Sequence, residues 1–443
     1  MTQQIHQVAV IGGGVCGSAL LYMLAEYTDI SDIALIEKYD SVAKVNSHAR
    51  NNSQTIHCGD IETNYTLDKA SKVKAAAQML VNFACLQPDR DQIIFKFPKM
   101  VIGVGEKECQ QLRQRFENFR EVFSGMQLLE KDQIADIEPN VVMINGQLRP
   151  EPCVALAVLD EYSAVDYQAL ANAFLREASK HSDTHIHQHF AAQVEDIVEQ
   201  DGIFSIITAD HVIKAKTVVV SAGGHSLLLA QKMGYGLEFS CLPVAGSFYF
   251  TPQKLNGKVY TVQNDKLPFA AVHGDPDVLV PNKTRFGPTA LLLPLLERYN
   301  VKTFFDFLRV LRLDRQVFKV FWDLFKVRDI RSYILKNFLF EIPGLRRRLF
   351  LKDARKIVPS LQLEDVEFAK GFGGIRPQLI DKKHAKLMLG EAKINPGTGI
   401  IFNMTPSPGG TSCLDNAETD MRWLADYLSA HIDEEKLKKN LRN

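Results

Sequence analysis

The feature that most constrains the fold is residues 5–37, which have the pattern of a strand, a glycine turn, a helix, a second strand and an acid. The turn contains Gly12, Gly14 and Gly17, and the second apolar run ends at Glu37, twenty residues after Gly17. In such a unit the glycines permit a tight turn, close approach of a pyrophosphate, and packing of helix on strand. The helix N-terminus attracts phosphate, and the acid binds a ribose diol. The sequence therefore predicts a dinucleotide-binding domain.

Composition narrows the class of protein further. The 443 residues carry 52 basic and 52 acidic side chains, so no bulk positive charge favours nucleic acid. Seven scattered cysteines without a CxxC pair argue against zinc and disulfides and indicate a reducing compartment. We see no secretory signal and no apolar run of about 20 residues that predicts a transmembrane helix. We expect a cytoplasmic chain of two domains without a bound metal.

Hydrophobic patterns predict alternating helices and strands after the first unit. Helices are predicted over 67–86, 106–124 and 165–181, the last with Asp166 as its N-cap. Residues 92–105 predict a hairpin-like pair of strands. We also expect the first helix to be amphipathic, with an apolar side. That side is formed by Leu20, Leu21, Leu24 and Ala25.

The pattern of the first unit returns far along the chain. An apolar run at 218–220 leads into a Ser-Ala-Gly-Gly turn and a helix predicted over 226–233. Residues 399–428 have the pattern of a strand, a Gly/Pro turn and a helix, whereas 242–250 and 258–273 predict strands of another domain. The nucleotide domain is therefore predicted to be discontinuous and interleaved with a second domain.

Residues 298–356, the basic insert, differ from the rest of the chain. They contain sixteen Lys and Arg against six Asp and Glu, an excess of ten positive charges. The interleaved aromatic residues are Phe304, Phe305, Phe307, Phe318, Phe321, Trp322, Phe325, Phe338, Phe340 and Phe350. This composition favours helices on an anionic membrane surface, where each basic residue contributes about 1 kcal/mol. An ordinary helical core and a nucleic-acid surface are the alternatives.

Four segments together resemble one enzyme family. They are NNSQTIHCGDIETNYT at 51–66, LPFAAVHGDPDV at 267–278, GFGGIRPQL at 371–379 and FNMTPSPGGTS at 402–412. In this order they resemble the malate:quinone oxidoreductases, within the D-amino-acid-oxidase-like and 2-hydroxyglutarate-dehydrogenase-like group. The resemblance implies non-covalent FAD and oxidation of (S)-malate to oxaloacetate. It also implies electron transfer to membrane quinone by a peripheral protein, which we expect on the cytoplasmic side of the inner membrane.

The resemblance gives the predicted domains their identity. The fold class is α/β, with an FAD-binding Rossmann-like domain of the glutathione-reductase, D-amino-acid-oxidase-like type interleaved with an α+β substrate domain. We expect FAD-binding segments at 1–85, 155–240 and 359–443. The substrate domain is expected at 86–154 and 241–358, which includes the basic insert.

Oxidising a 2-hydroxy acid needs a carboxylate anchor, a base for the hydroxyl proton and a hydride acceptor. Arg376 is the predicted anchor, because a planar guanidinium meets a carboxylate bidentately and the resembling oxidases have an arginine in this motif. Arg285 is the candidate for a second carboxylate. His273 is the predicted base, because imidazole titrates near neutral pH, and His57 is the competing candidate.

Further residues are expected to contact substrate or cofactor. Gln54 and Thr55 are the remaining predicted substrate contacts. The N-terminus of the last helix is expected to stabilise negative charge on the reduced flavin. The predicted cofactor contacts are Gly12, Gly14, Val15, Gly17, Glu37, Lys38, Asn52, Ser53, Gln54, Val194, Ala222, Gly223, Gly374, Pro408, Gly409, Gly410, Thr411 and Ser412.

Other functions stay open from the sequence. A second GxGxxG unit is absent, which argues against a separate nicotinamide domain. One alternative is a lactate or 2-hydroxyglutarate dehydrogenase that donates to quinone. The others are a non-catalytic, flavin-carrying membrane-binding protein and an NAD-linked soluble dehydrogenase.

Overall fold

The computed structural model describes residues 4–263, 271–326, 328–340, 342–388, 391–406 and 408–443. Ser407 and the first part of the predicted 267–278 segment lie outside the described residues. The strands are β1 (Ile5–Ile11), β2 (Asp32–Ile36), β3 (Ile94–Lys96), β4 (Lys99–Val104), β5 (Gln127–Glu130), β6 (Met143–Ile144), β7 (Gln147–Leu148), β8 (Cys153–Val158), β9 (Tyr162–Val165), β10 (His185–His189), β11 (Val194–Gln200) and β12 (Ile203–Thr208). They continue with β13 (Val212–Val220), β14 (Phe239–Ala245), β15 (Tyr249–Pro252), β16 (Lys258–Thr261), β17 (His273–Pro276), β18 (Lys283–Gly287), β19 (Leu291–Leu292), β20 (Glu367–Phe368), β21 (Ile375–Asp381), β22 (Lys386–Met388), β23 (Ala392–Ile394) and β24 (Ile400–Met404).

The α-helices connect and cover these strands. They are α1 (Val15–Tyr27), α2 (Leu67–Cys85), α3 (Arg90–Ile93), α4 (Glu106–Phe119), α5 (Lys131–Ile137), α6 (Pro139–Val142), α7 (Tyr167–Ala178), α8 (Gly224–Lys232), α9 (Phe304–Leu311), α10 (Arg315–Lys326), α11 (Arg328–Leu339), α12 (Arg346–Ile357), α13 (Cys413–Leu428) and α14 (Glu434–Leu437). The predicted helices over 67–86, 106–124, 165–181 and 226–233 correspond to α2, α4, α7 and α8. Asp166 is the N-cap of α7, because its side chain accepts from the N–H groups of Gln168 and Ala169.

The first sheet has the strand order β10-β2-β1-β13-β12-β11, and β24 also pairs with β13. Its centre is parallel, with Ile11 aligned with both Ile36 and Val220. Three strands therefore end at one edge, where Gly12, Glu37 and the turn after Val220 follow. Ligands of open α/β sheets bind at such carboxyl edges, so this pairing fixes where a nucleotide lies.

Helix α1 is buried on nearly all sides, so the predicted amphipathic helix is wrong. All of its residues except Cys16 and Glu26 are buried. The helix packs against α7 and α13 and follows a strand in the centre of the first sheet. A helix enclosed in this way needs apolar residues around its whole circumference.

The second sheet has the order β20-β15-β18-β17-β16-β4-β8-β5, and the third is β19-β14-β21-β22. The predicted hairpin at 92–105 is wrong, because β3 pairs with β9 whereas β4 lies between β8 and β16. Only Phe97 and Pro98 separate the two strands. A two-residue hairpin loop favours positive φ, which proline cannot adopt.

The chain passes between sheets at places that differ from the predicted boundaries. Strand β8 pairs with β4 and β5, so the chain leaves the second sheet after Val158. Strands β20, β21 and β22 lie within 359–443 but pair in the second and third sheets. The return to the first sheet begins with β23 at Ala392. The places where the chain moves from one sheet to another depend on pairing between strands that are distant in sequence. Local composition does not indicate such pairing.

The basic insert forms α9 to α12. Phe340 and Phe350 are buried, but several aromatic side chains are exposed, including Phe305 at 65%, Phe318 at 63% and Phe338 at 62%. We define the aromatic surface as the exposed apolar residues Phe304, Phe305, Leu308, Phe318, Trp322, Phe325, Leu335 and Phe338. Among the described residues, no helix is long and apolar enough to cross a membrane.

Candidate active site

A cavity of about 570 Å³ lies between the carboxyl edge of the first sheet and the third sheet. Its lining comes from the glycine turn, the segment 43–57, the turn after β13, and strands β14 and β21. The cavity thus brings together segments that are far apart in the chain. Two of the four segments that carry the family resemblance supply His57 and Arg376 to its wall.

The glycine turn has the close contacts that the sequence predicts. Gly12 has φ +103°, and a Cβ there would lie 2.5 Å from the carbonyl oxygen of Ser221. A Cβ on Gly17 would lie 1.9 Å from the carbonyl oxygen of Gly12. Both positions therefore require glycine. The Val15 N–H at the helix start donates to Ser47 Oγ at 2.9 Å, so Ser47 adds a hydroxyl beside the predicted phosphate site.

Glu37 lies at the end of β2 with its carboxylate held by backbone. It accepts from the N–H of Gly13 at 2.7 Å and from that of Tyr39 at 2.9 Å. Burial raises the pKa of Glu37, although these two donors act in the opposite direction. Lys38 forms an ion pair with Glu297, which also accepts from the Tyr39 hydroxyl. This cluster is suited to a ribose and its base.

Most of the predicted cofactor contacts line the cavity. They are Gly12, Gly14, Val15, Glu37, Lys38, Asn52, Ser53, Val194, Ala222, Gly223, Gly374, Pro408 and Gly410. The residues present therefore fit a dinucleotide that extends from the glycine turn toward Arg376. The other five do not line the cavity: Gly17, Gln54, Gly409, Thr411 and Ser412.

Two of these five support the cavity wall from behind. Gln54 is buried, and its amide oxygen accepts from the Val278 N–H at 3.0 Å. Thr411 Oγ1 accepts from the His57 N–H at 3.1 Å, which fixes the segment around residue 57 across the start of α13. Thr55, a predicted substrate contact, does line the cavity.

Arg376 lies on β21, opposite Val244 of β14, and lines the cavity. Its strand passes directly against the segment after residue 50. A Cβ on Gly374 would lie 2.4 Å from the carbonyl oxygen of Asn51, so this approach requires glycine. Asn46 completes the contact, since its amide donates to the Ile375 carbonyl at 2.9 Å and accepts from the Ile375 N–H at 3.2 Å.

His57 also lines the cavity, and the largely buried carboxylate of Glu62, whose side chain is 11% exposed, orients it. His57 Nδ1 lies 2.8 Å from Glu62 Oε1, and Glu62 Oε2 accepts from the Gly59 N–H at 2.9 Å. Burial favours the neutral acid, but the hydrogen bond and charge of His57 and the charge of Lys99 outweigh it. They hold the pKa of Glu62 below its usual range. An ionised carboxylate on Nδ1 fixes the tautomer and the plane of the imidazole ring.

His273 and Arg285 are predicted site residues that the structure does not bring to the cavity. His273 is 3% exposed, and its Nδ1 lies 2.7 Å from Asp275 Oδ2. Burial lowers the pKa of His273, and Asp275 offsets part of this effect. Arg285 is fully buried, with Nη1 3.2 Å from Asp277 Oδ2.

The cluster around His273 lies one layer behind the cavity. The His273 ring stacks on Tyr260 at 4.5 Å between centroids, and the Tyr260 hydroxyl lies 2.8 Å from Thr55 Oγ1. Lys258 Nζ lies 3.2 Å from Asp275 Oδ1. These contacts support Thr55 through buried, compensated charges and give His273 no direct contact with the cavity.

Sequence reasoning did not assign Glu62, Ser47 or Asn46. Glu62 lies five residues after His57 in a segment already singled out, so the signal for a histidine and its orienting acid was present. Ser47 and Asn46 lie in the polar stretch after Glu37, where serine and asparagine are common and predict no particular contact. Their roles depend on the tertiary approach of β21 and α1.

Comparison with known proteins places the chain in a family. The family model for malate:quinone oxidoreductase matches residues 4–439. A probable malate:quinone oxidoreductase from Campylobacter jejuni subsp. jejuni is 50% identical over 448 residues, covering 100% of this chain and 100% of the relative. A malate:quinone oxidoreductase from Helicobacter pylori is 46% identical, covering 98% of this chain and 97% of the relative.

Solved structures share the fold. L-alpha-glycerophosphate oxidase from Mycoplasma pneumoniae, solved with FAD bound, matches with a TM-score of 0.66 at 19% identity and covers 95% of each chain. Glycine oxidase from Bacillus cereus matches with a TM-score of 0.64 at 16% identity, covering 99% of this chain and 98% of that one. These matches confirm the predicted fold class. Since the family model and the two relatives cover almost the whole chain, the predicted resemblance is confirmed, and the chain belongs to the malate:quinone oxidoreductase family.

Proposed function

We propose that the protein oxidises (S)-malate to oxaloacetate with FAD and passes the electrons to a membrane quinone. It is an FAD-dependent oxidoreductase, with malate as electron donor and quinone as acceptor. The observation that carries the mechanism is that Arg376 and His57 line the same cavity as the dinucleotide turn. Overall, malate loses two electrons and two protons, and the quinone gains two electrons and two protons to become the quinol.

The FAD site is formed by the glycine turn, Glu37, Ser47 and the turn at Ala222 and Gly223. The contacts that a Cβ would make at Gly12 support close approach of the chain to the pyrophosphate. When bound, FAD supplies the acceptor for the hydride that leaves C2 of malate.

Arg376 binds a carboxylate of malate. Its planar guanidinium presents two parallel N–H donors, which fix the orientation of the acid as well as its position. The close approach at Gly374 and the two hydrogen bonds between Asn46 and Ile375 hold the strand that carries Arg376. The substrate is thereby held so that C2 is presented in one orientation.

His57 takes the hydroxyl proton. Glu62 holds the ring through Nδ1, so the proton passes to Nε2. The developing imidazolium is stabilised by the ionised Glu62 carboxylate, which stays unprotonated because of its lowered pKa. We assign His273 to support of Thr55, since its contacts lie in the buried cluster behind the cavity.

The aromatic surface attaches the protein peripherally to the cytoplasmic side of the inner membrane. Exposed basic side chains flank it, among them Arg309, Lys319 and Lys326. A large exposed apolar surface with basic flanks suits an anionic membrane, in which the apolar side chains enter the headgroup boundary. Stacking on nucleic-acid bases is not favoured, because bulky aliphatic side chains such as Leu308 and Leu335 share the surface.

Anaerobic addition of malate to the purified, FAD-loaded protein tests the proposed function. We expect malate to bleach the flavin, and lactate or 2-hydroxyglutarate to bleach it more slowly. Arg376→Lys loses the bidentate contact, so the rate at low malate concentration should fall about tenfold to a hundredfold. The matched control is Arg113→Lys on the exposed side of α4. Failure of malate to bleach the wild-type flavin would refute the function.

A further inference from the structure

Strand β21 leads away from Arg376 toward the insert helices. Side chains alternate along a strand, so Arg376, Gln378 and Ile380 lie on one face. Their cross-strand neighbours on β14 include Leu242, opposite Gln378, and Val244, opposite Arg376. Beyond Arg376 the polar side chains of this face are Gln378 and Ser240, which lies opposite Ile380 and donates its hydroxyl to the Leu311 carbonyl.

The apolar part of this face is covered by α10. Leu242 and Ile380 form one buried cluster with Val317 and Val320 of α10. The opposite side of α10 belongs to the aromatic surface. One helix therefore separates the proposed membrane contact from the strand that carries the carboxylate anchor.

Gln378 is buried, with 6% of its surface exposed, and it lines the cavity. Its amide oxygen has no hydrogen-bond partner among the described residues. A buried polar group without a partner destabilises a protein by about 1–3 kcal/mol, so such groups are rare unless a ligand or water satisfies them. The roles of Arg376 and His57 leave this amide unexplained.

We infer that Gln378 is the polar contact of the quinone headgroup, which binds on the face of β14 and β21 between Arg376 and α10. This inference rests on the proposed function. A glutamine amide suits both redox forms, because its N–H donates to a quinone carbonyl and its oxygen accepts from a quinol hydroxyl. Val244 and Ala290, which pack together and line the same cavity as Gln378, supply apolar contacts for the ring.

The second carboxylate of malate is the competing occupant. A carboxylate only accepts hydrogen bonds and favours a cation. The cation nearest to Gln378 along this face of β21 is Arg376, which already binds the first carboxylate, and the other neighbours of Gln378 are Leu242 and Ile380. A neutral ring with a carbonyl suits this environment better. Gln378 is two residues from Arg376, about 7 Å along the strand, so the ring would lie beside the oxidation site.

The variant Gln378→Met distinguishes between the quinone headgroup and the second carboxylate of malate as the ligand of Gln378. We expect the KM for a short-chain benzoquinone to rise about tenfold, which corresponds to the loss of about one hydrogen bond. Equilibrium binding of the same benzoquinone to the FAD-loaded protein should weaken to the same extent. Anaerobic bleaching by malate and turnover with a water-soluble dye acceptor should stay within about twofold, since neither requires the quinone contact.

Gln231→Met is the matched control, because Gln231 is also buried with an unpartnered amide oxygen but does not line the cavity. Gln378→Glu is the second variant, and it should also raise the quinone KM, because an ionised carboxylate cannot donate. Flavin content verifies that each variant folds. A raised malate KM with an unchanged quinone KM would assign Gln378 to the acid, and no change in either would overturn the inference. If malate does not bleach the wild-type flavin, the proposed function fails independently of Gln378.

Discussion

The side chains of His57 and His273 have the same chemistry but different surroundings. His57 lines the cavity with its Nδ1 2.8 Å from Glu62 Oε1, whereas His273 is enclosed with Tyr260 and Asp275. A general base must lie within hydrogen-bonding distance of the proton that it removes. The positions of the two histidines therefore distinguish between them, whatever their pKa values. This makes their contributions to catalysis separable by experiment.

We predict that His57→Gln slows anaerobic flavin reduction by malate about a hundredfold to ten-thousandfold, the usual contribution of a positioned base. His273→Gln should change this rate by less than about fivefold once flavin content is taken into account, because it acts only through Thr55. Stopped-flow measurement of flavin absorbance gives both rates. A large effect of His273→Gln with a small effect of His57→Gln would reverse the assignment.

Where the structure places several predicted residues follows from local spacing or from a short motif. Gly12, Gly17 and Glu37 act within one βαβ unit, and Arg376 lies in a short motif whose glycines give it a close approach. Arg285 and His273 were misplaced because their surroundings depend on strand register. Asp275 aligns with Arg285 across β17 and β18, a long-range pairing that turns these charges into a buried cluster.

At the scale of elements, the helices with strong apolar periodicity and clear caps were predictable, as α2 and α7 show. The hairpin and the domain crossings were not, because each depends on which distant strand offers a partner. The same limit applies to α1, whose neighbours α7 and α13 are contributed by later parts of the chain.

Helix α10 has a buried side, which packs on the third sheet, and an exposed side, which belongs to the aromatic surface. The role of the exposed side in membrane binding can be tested separately. We predict that Phe318→Glu combined with Trp322→Glu abolishes sedimentation with anionic vesicles at low salt, because both side chains are exposed and would place charge in the headgroup boundary. Malate turnover with a soluble dye should remain, since α10 contacts the third sheet through Val317 and Val320 instead.

The control for this variant is Val198→Glu, which alters an exposed apolar residue on β11 far from the insert along the chain. Raising the salt concentration should also weaken binding of the wild-type protein, because surface charges are screened. Unchanged sedimentation of the double variant would show that the aromatic surface does not attach the protein.

At the scale of the whole molecule, a buried carboxylate links stability to pH. Burial raises the pKa of Glu138 from 4.5 to about 7, although it accepts from the Asn256 and Gly257 N–H groups. The folded protein therefore holds this proton more tightly than the unfolded chain between these two pH values. Its free energy of unfolding falls as pH rises through this window, by about 3 kcal/mol at most.

We predict that Glu138→Gln removes this pH dependence. The variant should be more stable than the wild type at pH 8 and no more stable near pH 4, where the wild-type carboxyl is already protonated. Denaturant unfolding across this range measures the difference, and the exposed Glu117→Gln is the control. Parallel curves for wild type and Glu138→Gln would contradict the prediction.

The position of the third sheet has a consequence for how the two substrates, malate and quinone, reach the enzyme. Its strands β14 and β21 carry the acid anchor near one end and pack under α10 at the other. In the proposed function, malate thus reaches the enzyme from the aqueous phase, and quinone reaches it from the lipid bilayer. Turnover should then respond to two unlike quantities, the molarity of the acid and the number of quinones per unit area of bilayer, and diluting the lipid should slow the enzyme without altering its saturation by malate.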